Sequence, residues 1–358
     1  EAVASSARLL LGPAFAPLRA AIRQRRPAVL RNRERRAARA KTMLVTAGGL
    51  DGRGLAPIFL RAVLASREAE NCNIELVLGG QAASWQAVED LAVSVPDRIH
   101  CHRDMLDIDQ LFGDADCSVG PGGITLQEKL CLGLPSLAAV VADNQCGTVE
   151  GLAAQGCVLP IDARSHGPEE IFEATRQALD ELLEDVTARD AMWRRGAALV
   201  DGLGARRVVL AARPEKDCAG RAVTLRRFRV EDAEALLSWQ REPRIRRFFR
   251  NPAAPDPVAH RAWCEARLAD PFGICEIIEA NGLPIGLVRV DLNDPLSGEA
   301  PREVSILVSG SEQGQGTGTA VLRALRRLLR EEAMWADIHP ENQASRNSFL
   351  RAGFQLTT

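Results

Sequence analysis

No tyrosine occurs anywhere in the 358 residues, so no phenol is available as a proton donor. The nine cysteines include no CxxC pair, which excludes a zinc ribbon or a dithiol redox centre built on that motif. Cys131, Cys146 and Cys157 lie in or beside apolar runs and read as buried, reduced thiols of a reducing, cytoplasmic compartment. No apolar run approaches the roughly 20 residues that a membrane-spanning helix needs. The formal net charge is only −2, so neither nucleic acid nor a membrane surface is expected as a partner. Of the five histidines, His100 and His102 are spaced to face one side of a strand. No third ligand stands near them in sequence, so no metal is expected. The first residue is Glu1 rather than methionine, which predicts a fragment or a processed product.

What is present suits a globular chain: 46% hydrophobic and 26% charged residues, at a length sufficient for two domains. Residues 1–40 read as a basic helical segment. Their arginine-rich part, 19–41, holds Arg25, Arg26, Arg35, Arg36 and Arg39 with few acids. It predicts a solvated helix with one apolar face. A transit peptide is the second reading. A nucleic-acid arm is the third, and the lack of aromatics and glycine around it argues against that.

From 41 to 210, short apolar runs (43–45, 74–78, 117–119, 136–141) alternate with helical stretches (55–66, 84–94, 125–132, 168–184). That alternation predicts an α/β doubly wound domain, with ligands at the carboxyl ends of its strands. Residues 211–222 lack periodicity and carry Pro214 and Gly220, so they read as a linker. From 223 to 358 the pattern becomes α+β. A strand at 223–228 precedes helices at 230–241 and 258–268. A strand meander follows at 274–280, 284–292 and 302–308. A helix at 319–332, a strand at 335–338 and a helix at 342–351 complete it.

The glycine-rich turn Gln313-Gly314-Gln315-Gly316-Thr317-Gly318 sits between the 302–308 strand and the next helix. Such a turn offers backbone N–H groups at the positive end of a helix dipole, where a pyrophosphate binds. Asn342-Gln343-Ala344-Ser345 and Gly353-Phe354 follow. This pair of elements resembles the acetyl-CoA-binding core of the GNAT N-acetyltransferases, over about 223–358. The resemblance implies that Leu307 and Val308 meet pantetheine, and that Gln313, Gly314, Gly316, Thr317 and Gly318 meet the pyrophosphate. Small residues let the backbone approach the phosphates. It also implies that Asn342 contacts the cofactor arm. On its own, Asn342 reads equally as a helix N-cap. The reaction is attack of a neutral amine on a thioester, and a base must take the amine's proton. Glu303 is the first candidate, followed by Glu299 and Asp291. Phe349 stands where many family members have a tyrosine acid. A thiol with a pKa of roughly 8.5 leaves as thiolate with little help, so the substitution bears on the acid and not on the reaction. The family adds a final strand pair beyond the point where the sequence stops, which predicts a truncated C-terminus.

A second glycine-rich turn, Gly120-Pro121-Gly122-Gly123-Ile124-Thr125, leads into Leu126-Gln127-Glu128. Cys131-Leu132-Gly133-Leu134-Pro135 and Ala142-Asp143-Asn144-Gln145 follow, and Gly48-Gly49 forms an earlier turn. Together they resemble the C-terminal half of GT-B nucleotide-sugar enzymes, most of all the UDP-sugar hydrolases of pseudaminic acid biosynthesis, over about 5–200. The resemblance implies a UDP group held by Gly122, Gly123 and Thr125. It places Glu128 on the ribose, Asn144 and Gln145 toward the sugar, and Gly48 and Gly49 along the same cleft. Residues 1–40 then read as the tail of a missing first domain. That family's catalytic histidine lies in the missing domain, so hydrolysis of a UDP-sugar is not expected. Together the two resemblances imply an acetyl-CoA-dependent N-acetyltransferase acting on the amino group of a UDP-linked sugar. The alternatives are a GNAT enzyme acetylating a protein or another small-molecule amine, and a non-catalytic nucleotide-sugar-binding protein.

Overall fold

The computed structural model describes residues 9–36, 40–292 and 301–357. The chain forms two compact units, one of residues 16–202 and one running from Leu203 onward together with 9–15. No helix among the described residues is long and apolar enough to cross a membrane. All nine cysteines are free thiols. Burial pushes the Cys117 thiol up to about 12 and the Cys157 thiol up to about 11.

The first unit opens with helix α1 (Ala20–Glu34). It continues as β1 (Thr42–Thr46), α2 (Leu55–Ala65), β2 (Asn73–Leu78), α3 (Trp85–Ser94), β3 (Ile99–Arg103) and α4 (Ile108–Asp114). Then come β4 (Cys117–Pro121), α5 (Ile124–Cys131), β5 (Ser136–Val140), α6 (Asp143–Ala154), β6 (Leu159–Asp162), α7 (Pro168–Glu184) and α8 (Val186–Leu199). The six strands pair in parallel in the order β3-β2-β1-β4-β5-β6. This is the expected doubly wound sheet. Helices cover both faces, so the central strands are near-continuous apolar runs, and every residue of β5 is buried. The order reverses between β1 and β4, and outside their carboxyl ends such folds open a crevice.

Helix α1 departs from its expected solvated state. Arg23, Arg26 and Arg33 are buried. Arg26 donates to the carbonyls of Cys131, Ala197 and Val200, at the ends of α5 and α8. Arg33 donates to Leu132 at 2.6 Å, Phe112 at 2.7 Å and Ala115 at 3.2 Å. Helix C-termini leave carbonyls without intrahelical partners, and a planar guanidinium satisfies two or three at once. The arginines are therefore caps that tie α1 to three other helices. Arg33→Ala is expected to lower the unfolding free energy of this unit by about 3 kcal/mol, because buried carbonyls lose their donors. Urea denaturation followed by circular dichroism measures it.

The second unit contains α9 (Gly204–Ala212), β7 (Glu215–Lys216), β8 (Ala222–Arg227), α10 (Ala233–Gln240), α11 (Pro243–Arg246) and α12 (Pro257–Ala269). It goes on with β9 (Ile274–Ala280), β10 (Leu283–Asp291), β11 (Arg302–Val308), α13 (Thr317–Leu328), β12 (Met334–Trp335) and α14 (Gln343–Arg351). Its sheet runs β12-β11-β10-β9-β8-β7, antiparallel except for the parallel β11–β12 pair. Helix α13 places Ala320, Val321, Ala324, Leu325 and Leu328 in the core beside Val288, Val290 and Val304. That spacing forms one apolar stripe on a helix.

The boundary between the units falls at Gly202–Leu203, earlier than the expected linker at 211–222. Leu203 and Leu210 lie in the second unit's core, so α9 belongs there. Glu215–Lys216 forms the sheet's edge strand. The strand expected at 335–338 shrinks to two paired residues, Met334 and Trp335.

Candidate functional sites

In the second unit, β12 meets β11 only at Arg302↔Met334 and Glu303↔Trp335. Among the described residues, the outer edge of β11 from Val304 to Val308 has no strand partner. The side chain of Gln313 folds back over that edge, its Nε2 donating to the Val308 carbonyl at 3.1 Å. The turn beyond is shaped by Gly314 (φ 82°) and Gly316 (φ 77°), both left-handed, and Gly316 is the N-cap of α13. Only glycine takes this conformation without strain. Among the described residues, the N–H groups of Gly314, Gln315, Gly316, Thr317, Gly318 and Thr319 have no acceptor in the protein. The Thr317 hydroxyl is buried with no partner, and the space beside Gly314 is open. These features fit an extended ligand carrying an anionic group, with its chain along β11 and its charge at α13.

The segment expected to be a linker buttresses this turn. The Cys218 N–H donates to the Gln315 carbonyl at 2.8 Å, and a Cβ at Gly316 would run into the Cys218 sulfur. Arg221 bridges Glu312 at 2.6 Å and Asp217 at 2.8 Å, and Asp217 also accepts from the N–H groups of Ala219 and Arg221. Local sequence gives no sign of these contacts, because the partners lie about ninety residues apart. Gly318 has a packing duty too, since a Cβ there would sit 3.2 Å from the Ser348 hydroxyl on α14. Asn342 caps α14, its Oδ1 accepting from the Ser345 N–H at 3.0 Å.

Glu303 stands opposite Trp335, where β12 begins to leave β11. Its carboxylate pairs with Arg250 at 2.6 Å, and Arg250 also reaches Asp337 at 3.4 Å. Asp291 faces Glu303 across the β10–β11 ladder. It is held by Arg289 at 2.6 Å and Arg267 at 2.7 Å. Burial nonetheless raises its carboxyl above the usual range, with the two arginines pulling the other way. Glu299 lies outside the described residues. Phe349 is buried edge-on against Phe354, a core role with no access to a ligand. Arg244 and Arg247 lie exposed on the 243–250 segment. Arg247 stacks on Phe248, and a Cβ at Gly310 would meet the Arg244 guanidinium, so this segment covers the turn after β11.

In the first unit, the turns after β1, β4 and β5 gather Gly48 and Gly49, Gly122, Gly123 and Thr125, and Asn144 and Gln145 at one end of the sheet. Gly48 and Gly49 are exposed, and a Cβ at Gly79 would collide with the Gly49 carbonyl. Asp51 accepts from the N–H groups of Leu55 and Ala56, so the N-terminus of α2 is already capped by a carboxylate. The N-terminus of α5 is not: Gly123 is its N-cap and offers no side chain. The Gly122 N–H is spent on the Ala139 carbonyl at 2.8 Å, and Val149 fills the space where its side chain would stand. Glu128 is buried, and Arg19 takes both its oxygens at 2.7 and 3.0 Å. The Gln145 Oε1 accepts from the Val141 N–H at 3.1 Å, while Asn144 is exposed. His100 and His102 both close on Glu75 of the neighbouring strand, at 3.1 and 2.6 Å. Among the described residues, no cluster of three or more such side chains has metal-binding geometry.

Comparison with known proteins adds three findings. Residues 222–355 match the family model of the acetyltransferase (GNAT) domain, so the second unit carries a GNAT domain. A curated relative, the spore coat polysaccharide biosynthesis protein SpsG of Bacillus subtilis (strain 168), is 27% identical over 170 residues, 47% of this chain and 48% of the relative. The chain thus spans about half the length of that relative. Among solved structures, AAC(6')-Ib in complex with paromomycin and acetyl-CoA is 26% identical, covering 37% of this chain and 82% of that one at a TM-score of 0.33. WaaG, a glycosyltransferase involved in lipopolysaccharide biosynthesis, is 19% identical, covering 52% of this chain and 48% of that one at a TM-score of 0.38.

Proposed function

We propose that this chain is an acetyl-CoA-dependent N-acetyltransferase whose acceptor is the amino group of a UDP-linked sugar. The observation that carries the reading is the row of free N–H groups from Gly314 to Thr319, set beside the unpaired edge of β11 within the GNAT domain. In this reading the pyrophosphate of acetyl-CoA lies at Gly314, Gly316, Thr317 and Gly318. Pantetheine runs along Leu307 and Val308 and displaces the Gln313 side chain from the Val308 carbonyl. Asn342 borders the cofactor arm. Binding both reactants side by side supplies much of the rate. The amine nitrogen forms a bond to the thioester carbon, the C–S bond breaks, and the electron pair leaves on the thiolate. Glu303 takes the amine proton, directly or through a water.

Two features support a nucleotide-linked acceptor. Arg244 stands exposed over the turn after β11 beside Glu242, and Arg247 is exposed on the same segment, cationic groups of the kind that meet a diphosphate. The name of the relative SpsG also points to polysaccharide building blocks. The first unit, in this reading, has a UDP site of its own, at Gly48, Gly49, Gly122, Gly123 and Thr125, with Glu128, Asn144 and Gln145 around it. It binds without hydrolysing. Measurable UDP release from a UDP-sugar by the purified chain overturns that part.

The test is CoA release from acetyl-CoA in the presence of a UDP-4-amino-sugar, read with a thiol reagent. No release above background refutes the proposal, and release with peptide amines alone moves the acceptor to protein. Glu303→Gln is expected to lower kcat by about a hundredfold, within the usual range for losing a positioned base, while leaving acetyl-CoA binding in place.

A further inference from the structure

Lys129, on α5, is 1% exposed. Its ammonium lies at the switch point of the first unit, 3.0 Å from the Thr46 hydroxyl at the end of β1. It also lies 3.2 Å from where a Cβ at Gly120 of β4 would stand. Helical side chains point back toward the helix N-terminus, which brings the amine beneath the Gly120–Gly123 turn. Among the described residues, the Thr46 hydroxyl is its one hydrogen-bond partner, and no charged group acts on it beside its burial. The charges on the elements packed around α5 are committed elsewhere. Glu128 is bound by Arg19, Arg26 serves the carbonyls of Cys131, Ala197 and Val200, and Arg189 of α8 serves those of Leu182 and Leu183. Arg23 of α1 donates to the Asp201 carbonyl, and Arg33 caps Leu132, Ala115 and Phe112. A buried lysine without an ionic partner is expensive unless it is neutral. Burial accordingly lowers the Lys129 pKa to about 7.

We propose that Lys129 is the buried counter-charge of a phosphate site at the β1–β4 crevice, taking up a proton when a nucleoside diphosphate binds and releasing it when the ligand leaves. The uncapped N-terminus of α5 and the turn after β1 supply the direct contacts. Lys129 supplies charge from its place beside Thr46 and Gly120, as a positioning residue. A neutral amine spares the empty site a buried cation, and the arriving anion makes the charged form favourable. The proposal rests on the reading of the first unit as a UDP-binding domain, and the experiment separates the two.

UDP binding to the whole chain is measured by calorimetry at pH 8 in buffers of different ionisation enthalpy. The terminal phosphate of UDP, with a second pKa of about 6, is already ionised there, so proton uptake reports the protein. The expected result is uptake approaching one proton at pH 8, fading as the pH falls below 7 toward 6, where the free enzyme's amine is already charged. In Lys129→Met the uptake disappears and the Kd rises by about tenfold or more, a loss of the size expected for a charge-assisted contact. Absence of UDP binding refutes both readings. Binding without uptake, or uptake that persists in Lys129→Met, refutes this proposal alone. The wild-type pH series stands even where the variant does not fold.

Discussion

Gly316→Val is expected to weaken acetyl-CoA binding sharply, raising the Kd by about a hundredfold, or roughly 2.7 kcal/mol. Two effects act together. The N-cap of α13 holds φ at 77°, and a β-branched residue there is strained by about 1–3 kcal/mol. The new Cβ would also run into the Cys218 sulfur, so the turn or the 217–221 loop must move. Either movement breaks the alignment of the N–H row. Gly314→Ala separates the effects, because its φ is also left-handed at 82° but the space beside it is open. It is expected to weaken binding by only about fivefold, the equivalent of about 1 kcal/mol of backbone strain. Calorimetry with CoA measures both, and a melting curve for each variant excludes simple unfolding. Unchanged affinity in Gly316→Val would remove the turn from the cofactor site.

The largest stability effect is expected at Arg207 of α9. Its guanidinium meets Glu276 of β9 at 2.6 Å, with both side chains 1% exposed, and it also donates to the Ala14 carbonyl at 3.0 Å. Arg207→Ala strands the Glu276 carboxylate in the core, whose second oxygen already lacks a partner. The expected loss is about 3–5 kcal/mol for the second unit. The double variant Arg207→Met with Glu276→Leu is expected to recover most of it, because the pair's attraction does little more than offset its own desolvation. Urea denaturation of the three proteins decides this. A double variant as unstable as the single one would show that the pair itself stabilises the fold.

Legibility in the sequence followed the range of the interactions. Strand β5 was readable because each of its residues is buried, which leaves a continuous apolar run. The glycine turn at 313–318 was readable because its geometry is set by its own residues, Gly314 and Gly316. The polar strand Ile99–Arg103 gave a weaker signal, since His100 and His102 turn to Glu75 of β2, a neighbour that the local pattern does not reveal. The arginines of α1 looked solvated because their acceptors are carbonyls 79 to 178 residues away. The ion pair of Glu128 was hidden for the same reason, with Arg19 109 residues upstream. The 211–222 segment looked like a linker because it has no period. Its duty is to hold a turn whose partner residues come nearly a hundred positions later.

The clasp between α1 and the end of α8 has a consequence for biosynthesis. Arg23 reaches the Asp201 carbonyl across 178 residues, and Arg26 reaches Val200 and Ala197. The two ends of the first unit therefore meet, and its chain forms a closed loop. On the ribosome, α1 emerges well before α8, and one acceptor of Arg23, the Asp201 carbonyl, comes last. At roughly 5–20 residues per second, that delay is about 10–35 seconds. Ends that meet also suit circular permutation, so the unit can be reopened at an exposed turn such as the one at Pro96–Asp97 without cutting the clasp.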